Sequence, residues 1–184
     1  MDIRVITPLS ANQEYDFHKS YTIFLAGGCT TNWRDDFVSS LSRICKHDNV
    51  IVFSPFCDPK KITLKELLFW ERYHLLDCNM LVFNFEGSES TQAGSMFELG
   101  RFANDKALYG DVLVNIDDNY KLKREVEIQV GFMNADKEQI DKSKHIDLFY
   151  SQFDGMVEVC NEIIDERLEN ENFELKYELE GIIR

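Results

Sequence analysis

Four short, largely apolar runs constrain the fold of this chain most strongly, because a segment with helical features follows each of the first three. The runs cover residues 21–26, 50–53, 80–85 and 112–116. Apolar runs of this length are typical of strands buried on both faces of a parallel sheet. Strands that alternate with helices predict parallel βαβ units with right-handed crossovers. We therefore predict an α/β protein with an open parallel sheet of about five strands and helices on both faces, the fifth strand lying at residues 146–150.

The same pattern indicates one main domain, which suits a length of 184 residues. We predict an N-terminal extension at 1–20, which contributes at most an edge strand, a main domain at 21–170 and a C-terminal tail at 171–184. Apolar and polar residues alternate in the tail, and this period of two favours a strand. Residues 117–144 show no clear period.

The charge balance excludes several classes of partner. Lysine and arginine number 20 against 33 aspartates and glutamates, which gives a formal net charge of -13. Such a charge repels polyanions and argues against nucleic acid polymers and anionic membranes as partners. Neither an apolar signal segment nor an apolar stretch of roughly 18 residues is present, so we expect a cytoplasmic protein. The five cysteines and four histidines lack metal-ligand spacing, and neither a metal nor a cofactor is predicted.

A glycine pair follows the first strand at the sheet edge where open parallel sheets bind ligands. Gly27 and Gly28 allow a ligand to approach the main chain, and hydroxyl and amide side chains follow them in residues 30–32. Their spacing matches neither the dinucleotide-binding fingerprint nor the P-loop. The alternative interpretation is that the glycines only turn the chain.

A carboxylate interrupts the apolar stripe of the predicted second helix. Leu64, Leu68 and Leu75 define a stripe that we expect to face the core, and Glu71 falls within it. A charge in such a position requires a group that satisfies it, and a ligand is one such group. The alternative is a glutamate that reaches solvent or pairs with Arg72.

A polar segment follows the third apolar run and leads into a helix that carries Glu98. Ser90, Gln92 and Ser95 lie in this region and can hydrogen-bond a ligand. Glu98 lies one helical turn beyond Gly94, near the carboxyl edge of the sheet. A partly desolvated carboxylate in such a place can act as a nucleophile or a general base. The alternative is a solvated side chain on a helix surface.

Three segments together resemble the nucleoside 2-deoxyribosyltransferase family. They are residues 23–28, residues 70–83 around Glu71, and the run Phe97-Glu98-Leu99-Gly100-Arg101. The segments stand in the family's order, and the resemblance covers roughly residues 21–116. It implies a three-layer, flavodoxin-like (Rossmann-like) sheet, a nucleoside or nucleotide as the small-molecule partner, and a homo-oligomer.

The resemblance also implies a mechanism. The glutamate of the family's Glu-Leu-Gly segment attacks the anomeric carbon of a 2'-deoxynucleoside, and this role maps to Glu98. The base leaves, a glycosyl-enzyme ester forms, and another base or water takes the sugar. The family's second acid maps to Glu71, which would position or protonate the departing base. The implied activity is N-glycosyl cleavage by a transferase or a hydrolase.

Two positions depart from the family's pattern. Gln92 replaces an aspartate that the better-known transferases carry six residues before the nucleophile, and Phe24 replaces a tyrosine of the first strand. These departures put base exchange in doubt and leave open a catalytically inactive nucleotide-binding or sensing module. Related hydrolases of deoxynucleoside monophosphates have serine-rich loops at this place. Further candidate contacts are Trp33 and Phe85 as stacking surfaces for a base, and Ser88, Ser90, Ser95, Arg34, Arg101 and Lys106 for a phosphate.

Overall fold

A computed structural model describes residues 3–10, 15–16, 19–88, 90–138 and 145–169. Six parallel strands form one sheet in the order β1-β3-β2-β4-β5-β6. The strands are β1 Arg4–Ile6, β2 Tyr21–Gly27, β3 Val50–Phe53, β4 Met80–Phe85, β5 Asp111–Ile116 and β6 Asp147–Tyr150. The predicted open parallel sheet is confirmed, with six strands where about five were expected, because the N-terminal segment adds β1 beside β3.

In the described part of the chain, helices connect the strands from β2 to β6, and a further helix follows β6. They are α1 Trp33–Ile44, α2 Leu64–Asp77, α3 Ala93–Glu98, α4 Asn104–Tyr109, α5 Lys123–Glu138 and α6 Phe153–Glu169, with a π-helical segment at Leu99–Ala103 between α3 and α4. Helix α5 occupies the stretch in which the sequence shows no clear period. The strand predicted at 171–184 lies outside the described residues. None of the described helices is both long and apolar enough to cross a membrane.

Two apolar clusters form the core, because alternate residues of each buried strand point to opposite faces of the sheet. One cluster includes Phe24, Phe53 and Phe83 with Leu75, Leu99 and Val126 of the helices. The other includes Ile23, Leu25 and Val82 with Phe37, Leu41 and Ile164. Helices α2, α3 and α5 therefore cover one face, α1 and α6 cover the other, and the molecule has three layers.

The strand order reverses next to β2, and this reversal positions the site. The connection that follows β2 leads to β3 on one side, whereas the connection that follows β3 leads to β4 on the other side. Loops that leave the carboxyl ends of β2 and β4 consequently diverge, and a crevice opens between them.

Candidate active site

A cleft of about 570 Å³ occupies this crevice. Polar and glycine residues from the end of β2, the turn after it, α1, the loop after β4 and α3 form one wall, and they include Gly27, Gly28, Arg34, Ser90, Gln92 and Ser95. Apolar residues from the loop after β3, from α2 and from α3 form the other wall, and they include Pro55, Phe56, Leu64, Leu67, Leu68 and Phe97. Glu71 and Glu98 both line the cleft. A volume of this size suits a nucleoside-sized molecule.

Glu71 reaches the cleft from α2. This helix begins with a capping box. The Glu66 amide donates to the Thr63 hydroxyl at 3.3 Å, and the Thr63 amide donates to the Glu66 carboxylate at 2.9 Å. The predicted core-facing stripe of α2 is only partly correct. Leu75 is buried, but Leu64 and Leu68 are 70% and 54% exposed and line the cleft. Glu71 thus continues a stripe whose first half faces the cleft.

Glu98 ends α3, and its carboxyl group is electrostatically coupled to Glu71 and Arg34. Burial, and then the negative charge of Glu71, raise the pKa of Glu98 to about 8, against the opposing effect of Arg34. Burial also raises the pKa of Glu71, again opposed by Arg34. Two carboxyl groups that share one cleft titrate as a pair, and the pair retains a proton at neutral pH. A proton donor and a carboxylate are therefore present together.

Arg34 holds the turn after β2 with a buried guanidinium group. Its Nε donates to the carbonyl of Leu25 at 3.2 Å, its Nη2 to that of Gly27 at 3.1 Å and its Nη1 to that of Gly28 at 2.6 Å. Burial lowers the pKa of Arg34. Sequence reasoning assigned Arg34 only as a candidate for phosphate, because contacts with main-chain carbonyls leave no pattern in a sequence.

Gly27 and Gly28 lie so close to neighbouring atoms that neither position has room for a side chain. Gly27 has φ +140°, and a Cβ there would lie 2.2 Å from the carbonyl oxygen of Asn84. A Cβ on Gly28 would lie 1.9 Å from Oε2 of Glu86. The glycines therefore turn the chain and also line the cleft, so the two interpretations of this pair are compatible.

Gln92 and Glu86 lock the loop after β4 to the turn after β2. The Gln92 Nε2 donates to the Glu86 carbonyl at 2.8 Å, and the Glu86 amide donates to the Gln92 Oε1 at 3.4 Å. The Glu86 carboxylate accepts hydrogen bonds from the Thr30 amide at 3.1 Å and from the Thr31 hydroxyl. Gln92 lines the cleft, but its side-chain amide is hydrogen-bonded to the main chain of Glu86. Sequence reasoning missed Glu86, because the partners of its carboxylate lie 55 and 56 residues away in the chain.

Replacement of Gln92 by methionine is expected to destabilise the fold by about 1–3 kcal/mol, because the change leaves both main-chain groups of Glu86 without these partners in a buried place. Urea unfolding of the two proteins measures the difference. Gln129→Met, at an exposed position of α5, is the control and is expected to change the free energy of unfolding by less than about 0.5 kcal/mol. Equal stability of both variants would show that the hydrogen bonds between Gln92 and Glu86 do not stabilise the fold.

Three of the predicted substrate contacts lie away from the cleft. Trp33 is 4% exposed, and its Nε1 donates to the Gly28 carbonyl at 2.8 Å. Phe85 is fully buried between the rings of Phe83 and Tyr120, at centroid distances of 6.1 and 5.2 Å. Neither ring can stack on a ligand in the cleft. Arg101 is exposed, and its guanidinium lies 3.7 Å from the Asp105 carboxylate.

The structure brings the other predicted residues together around the cleft. Gly27, Gly28, Glu71, Ser90, Gln92, Ser95 and Glu98 all line it. Lys106 lies elsewhere and donates to the carbonyls of Leu76 and Cys78. Sequence reasoning assigned Leu64 and Leu68 of the apolar wall to the core, because periodicity alone does not distinguish a residue that faces a cleft from one that faces the core.

Comparison with known proteins supports the relationship suggested by this geometry. No curated protein matches the chain. The sequence model of the family described as "Nucleoside 2-deoxyribosyltransferase like" matches residues 20–114, more than half of the chain. The matched range runs from β2 into β5 and includes both Glu71 and Glu98. The chain belongs to the nucleoside 2-deoxyribosyltransferase-like family.

Proposed function

We propose that the protein cleaves the N-glycosidic bond of 2'-deoxynucleosides or their 5'-monophosphates, with Glu98 as the nucleophile. The observation that carries this proposal is a mostly buried carboxyl group, coupled to a second acid from another helix, in a nucleoside-sized cleft at the reversal of strand order. Membership of the family makes a glycosyl-transfer activity the first one to test.

In the proposed reaction, ionised Glu98 attacks the anomeric carbon while the bond from that carbon to the base nitrogen breaks. The bonding electrons leave with the base, which Glu71 positions and which takes up its proton from solvent. Negative charge on Glu98 stabilises the oxocarbenium-like transition state before the ester bond forms. Water or a second base then displaces Glu98 from the sugar and restores the carboxylate.

Two parts of the cleft are suited to hold the substrate. The exposed faces of Phe56, Leu68 and Phe97 offer an apolar surface for a nucleobase. Ser95 lies one helical turn before Glu98, is 7% exposed and lines the cleft. Its hydroxyl group is placed to hydrogen-bond a sugar bound beside the nucleophile.

A substrate panel tests the proposal. Purified protein is incubated with the four common deoxynucleosides and their 5'-monophosphates, with and without a free acceptor base, and the products are separated by chromatography. We expect base release from at least one compound. Formation of a new nucleoside or nucleotide with the added base identifies a transferase. Release of free deoxyribose, or of deoxyribose 5-phosphate from a monophosphate, identifies a hydrolase. No base release or exchange from any compound would refute the proposal.

The pH dependence of the reaction follows from the raised pKa of Glu98. Because the pKa of Glu98 is about 8, this nucleophile is mostly protonated at lower pH. We therefore expect kcat/KM to rise about tenfold per pH unit from pH 6 towards 8. In Glu71→Gln the neighbouring negative charge is absent, so the pKa of Glu98 falls and the rising limb moves to lower pH. Initial rates of base release across this range measure both effects. If kcat/KM of the wild type instead rose around pH 4.5 and stayed constant above it, the result would contradict the expectation.

A catalytically inactive nucleotide-binding or sensing module is the second candidate. The hydrogen bonds of Gln92 to the main chain of Glu86 favour it, because they occupy the amide that stands in place of the family's aspartate. Titration calorimetry separates the two functions. Tight binding of a nucleoside or nucleotide without turnover favours the sensing module.

We also propose a homo-oligomer formed through α2. This helix has an exposed apolar surface, which consists of Leu64, Leu68, Phe69, Tyr73 and Leu76. Exposed apolar surfaces of this kind mark interaction sites. Because Leu64 and Leu68 also line the cleft, a second copy bound here would border the catalytic site.

Analytical ultracentrifugation is expected to give a mass of at least twice that of one chain. Phe69→Lys places a charge in the apolar surface of α2 and is expected to weaken association at least about tenfold. The control is Phe132→Lys on α5, a residue that is 65% exposed, as is Phe69. A monomeric wild-type protein, or equal dissociation by both variants, would contradict the proposed interface.

A further inference from the structure

A second, smaller cleft of about 270 Å³ lies over the carboxyl ends of β4, β5 and β6. Its lining includes Asn84, Glu86, Asn115, Asp117 and Phe153, and it shares no lining residue with the catalytic cleft. The proposed reaction uses none of these side chains. The volume lies just below the usual range for small-molecule sites of roughly 300–1,000 Å³, which points to a ligand smaller than a nucleotide.

Two successive hydrogen bonds leave a donor of Asn84, a residue that lines this cleft, without an acceptor in the described part of the protein. The main-chain amide of Gln152 donates at 3.2 Å, so the side-chain atom of Asn115 that receives it is the oxygen. The Asn115 Nδ2 must then donate to the Asn84 Oδ1, at 2.7 Å. The Nδ2 of Asn84 has no acceptor among the described residues, although Asn84 is only 6% exposed. A ligand that accepts a hydrogen bond would satisfy it.

Carboxylates provide the complementary acceptors. Asp117 accepts the Asn119 amide through Oδ1 at 2.8 Å, and its Oδ2 has no donor in the part of the chain that the structure describes. Glu86 adds a second carboxylate. Neither lysine nor arginine is among the described lining residues. An anionic ligand is therefore disfavoured, and the ligand must donate hydrogen bonds as well as accept one.

The geometry points to a binding site for an uncharged sugar that presents vicinal hydroxyl groups, such as a ribofuranoside. One hydroxyl accepts from the Asn84 Nδ2, and its neighbour donates to the Asp117 carboxylate. Carboxylates in related open sheets recognise ribose hydroxyls in this way. An ammonium group would satisfy the carboxylates but leave the Asn84 donor without a partner. A hydroxyl group both donates and accepts, so it fits the two requirements together.

Side-chain amide resonances provide a local test. Methyl ribofuranoside is titrated to about 50 mM into ¹⁵N-labelled protein, a range suited to millimolar affinity, and the NH₂ signals of Asn84, Asn115 and Gln92 are followed. Saturable shifts are expected at Asn84 and Asn115, whereas the Gln92 signal of the catalytic cleft moves little. Because binding is the readout, the test does not depend on the proposed reaction. No saturable shift at Asn84 would overturn the inference.

Two ligand controls test the proposed chemistry. Methyl 2-deoxyribofuranoside lacks one of the vicinal hydroxyls, and ribose 5-phosphate adds negative charge. Each is expected to bind at least about tenfold more weakly than methyl ribofuranoside. Equal or tighter binding of either compound would overturn the inference, whatever the variants show.

A matched pair of variants tests the position. Asp117→Asn keeps an oxygen for the Asn119 amide but removes the charge, and its affinity for methyl ribofuranoside is expected to fall at least about tenfold. Asp118→Asn makes the same change of charge at an exposed neighbour that pairs with Lys123 and is not part of the cleft lining. Its affinity is expected to match that of the wild type. Undiminished binding by Asp117→Asn, or an equal loss in both variants, would overturn the inference.

Discussion

Glu98→Gln is expected to lower kcat/KM for base release by about 10⁴-fold or more, a loss typical of the removal of a nucleophile. Glutamine has nearly the same shape as glutamate but carries no charge, so it neither stabilises the oxocarbenium-like transition state nor forms the glycosyl ester. Single-turnover base release from the best substrate of the panel measures the loss. Glu158→Gln, at an exposed position of α6, is the control and is expected to retain wild-type activity.

The stability of Glu98→Gln tests whether this loss comes from unfolding. The pKa of Glu98 is about 8 in the folded protein and near 4.5 in an unfolded chain, so the folded state binds the proton more tightly. Wild-type stability therefore falls as pH rises from 4.5 through 8, and the variant does not have this loss. Allowing for partial exposure, we expect the variant to be about 2–4 kcal/mol more stable than the wild type at pH 8.5.

Two outcomes would contradict the assignment of Glu98. The first is full activity of Glu98→Gln, which would exclude Glu98 as the nucleophile. The second is a stability difference between variant and wild type that stays constant from pH 5 to 8.5, which would show that the carboxyl group is not protonated in the folded state. Urea unfolding at several pH values measures this difference.

The strands and most helices could be predicted from the sequence because burial controls their composition. Strands β2 to β5 are covered on both faces, so each is a largely apolar run. Helix α5 was not predicted, and its residues show why. Val126, Val130 and Met133 are buried at helical spacing, but Ile128 and Phe132 are also apolar and are 47% and 65% exposed. These exposed residues obscure the period.

The two acids of the candidate site could also be found in the sequence, because Glu71 interrupts an apolar stripe and Glu98 follows a polar segment at the carboxyl edge of the sheet. The residues that surround these two acids could not be predicted. Arg34 bonds main-chain carbonyls, and Glu86 bonds groups far away in the chain, so no local motif reveals either residue. Trp33 and Phe85 follow the apolar pattern of a stacking surface, but the same pattern describes core aromatics, and both rings are buried.

Arg34→Met is expected to destabilise the protein by about 3–5 kcal/mol, the second large effect that the site predicts. Methionine retains much of the apolar volume of the arginine stem but donates no hydrogen bond. The carbonyls of Leu25, Gly27 and Gly28 would each lose a buried donor. The positive charge that lowers the pKa of both Glu98 and Glu71 would also disappear, so the rising limb of the pH profile should move to higher pH.

Arg34→Lys and Arg43→Met separate the effects of hydrogen bonding and charge. Lysine keeps the charge but cannot place three nitrogens against three carbonyls, so most of the stability loss should remain while the pH profile stays near that of the wild type. Arg43 lies on the same helix, is exposed and bonds only the Ser40 hydroxyl among the described residues; its replacement by methionine should cost less than about 0.5 kcal/mol. Wild-type stability of Arg34→Met would show that the turn after β2 does not depend on the guanidinium. Because this turn forms part of one wall of the cleft, the shape of that wall would then have to be explained without Arg34.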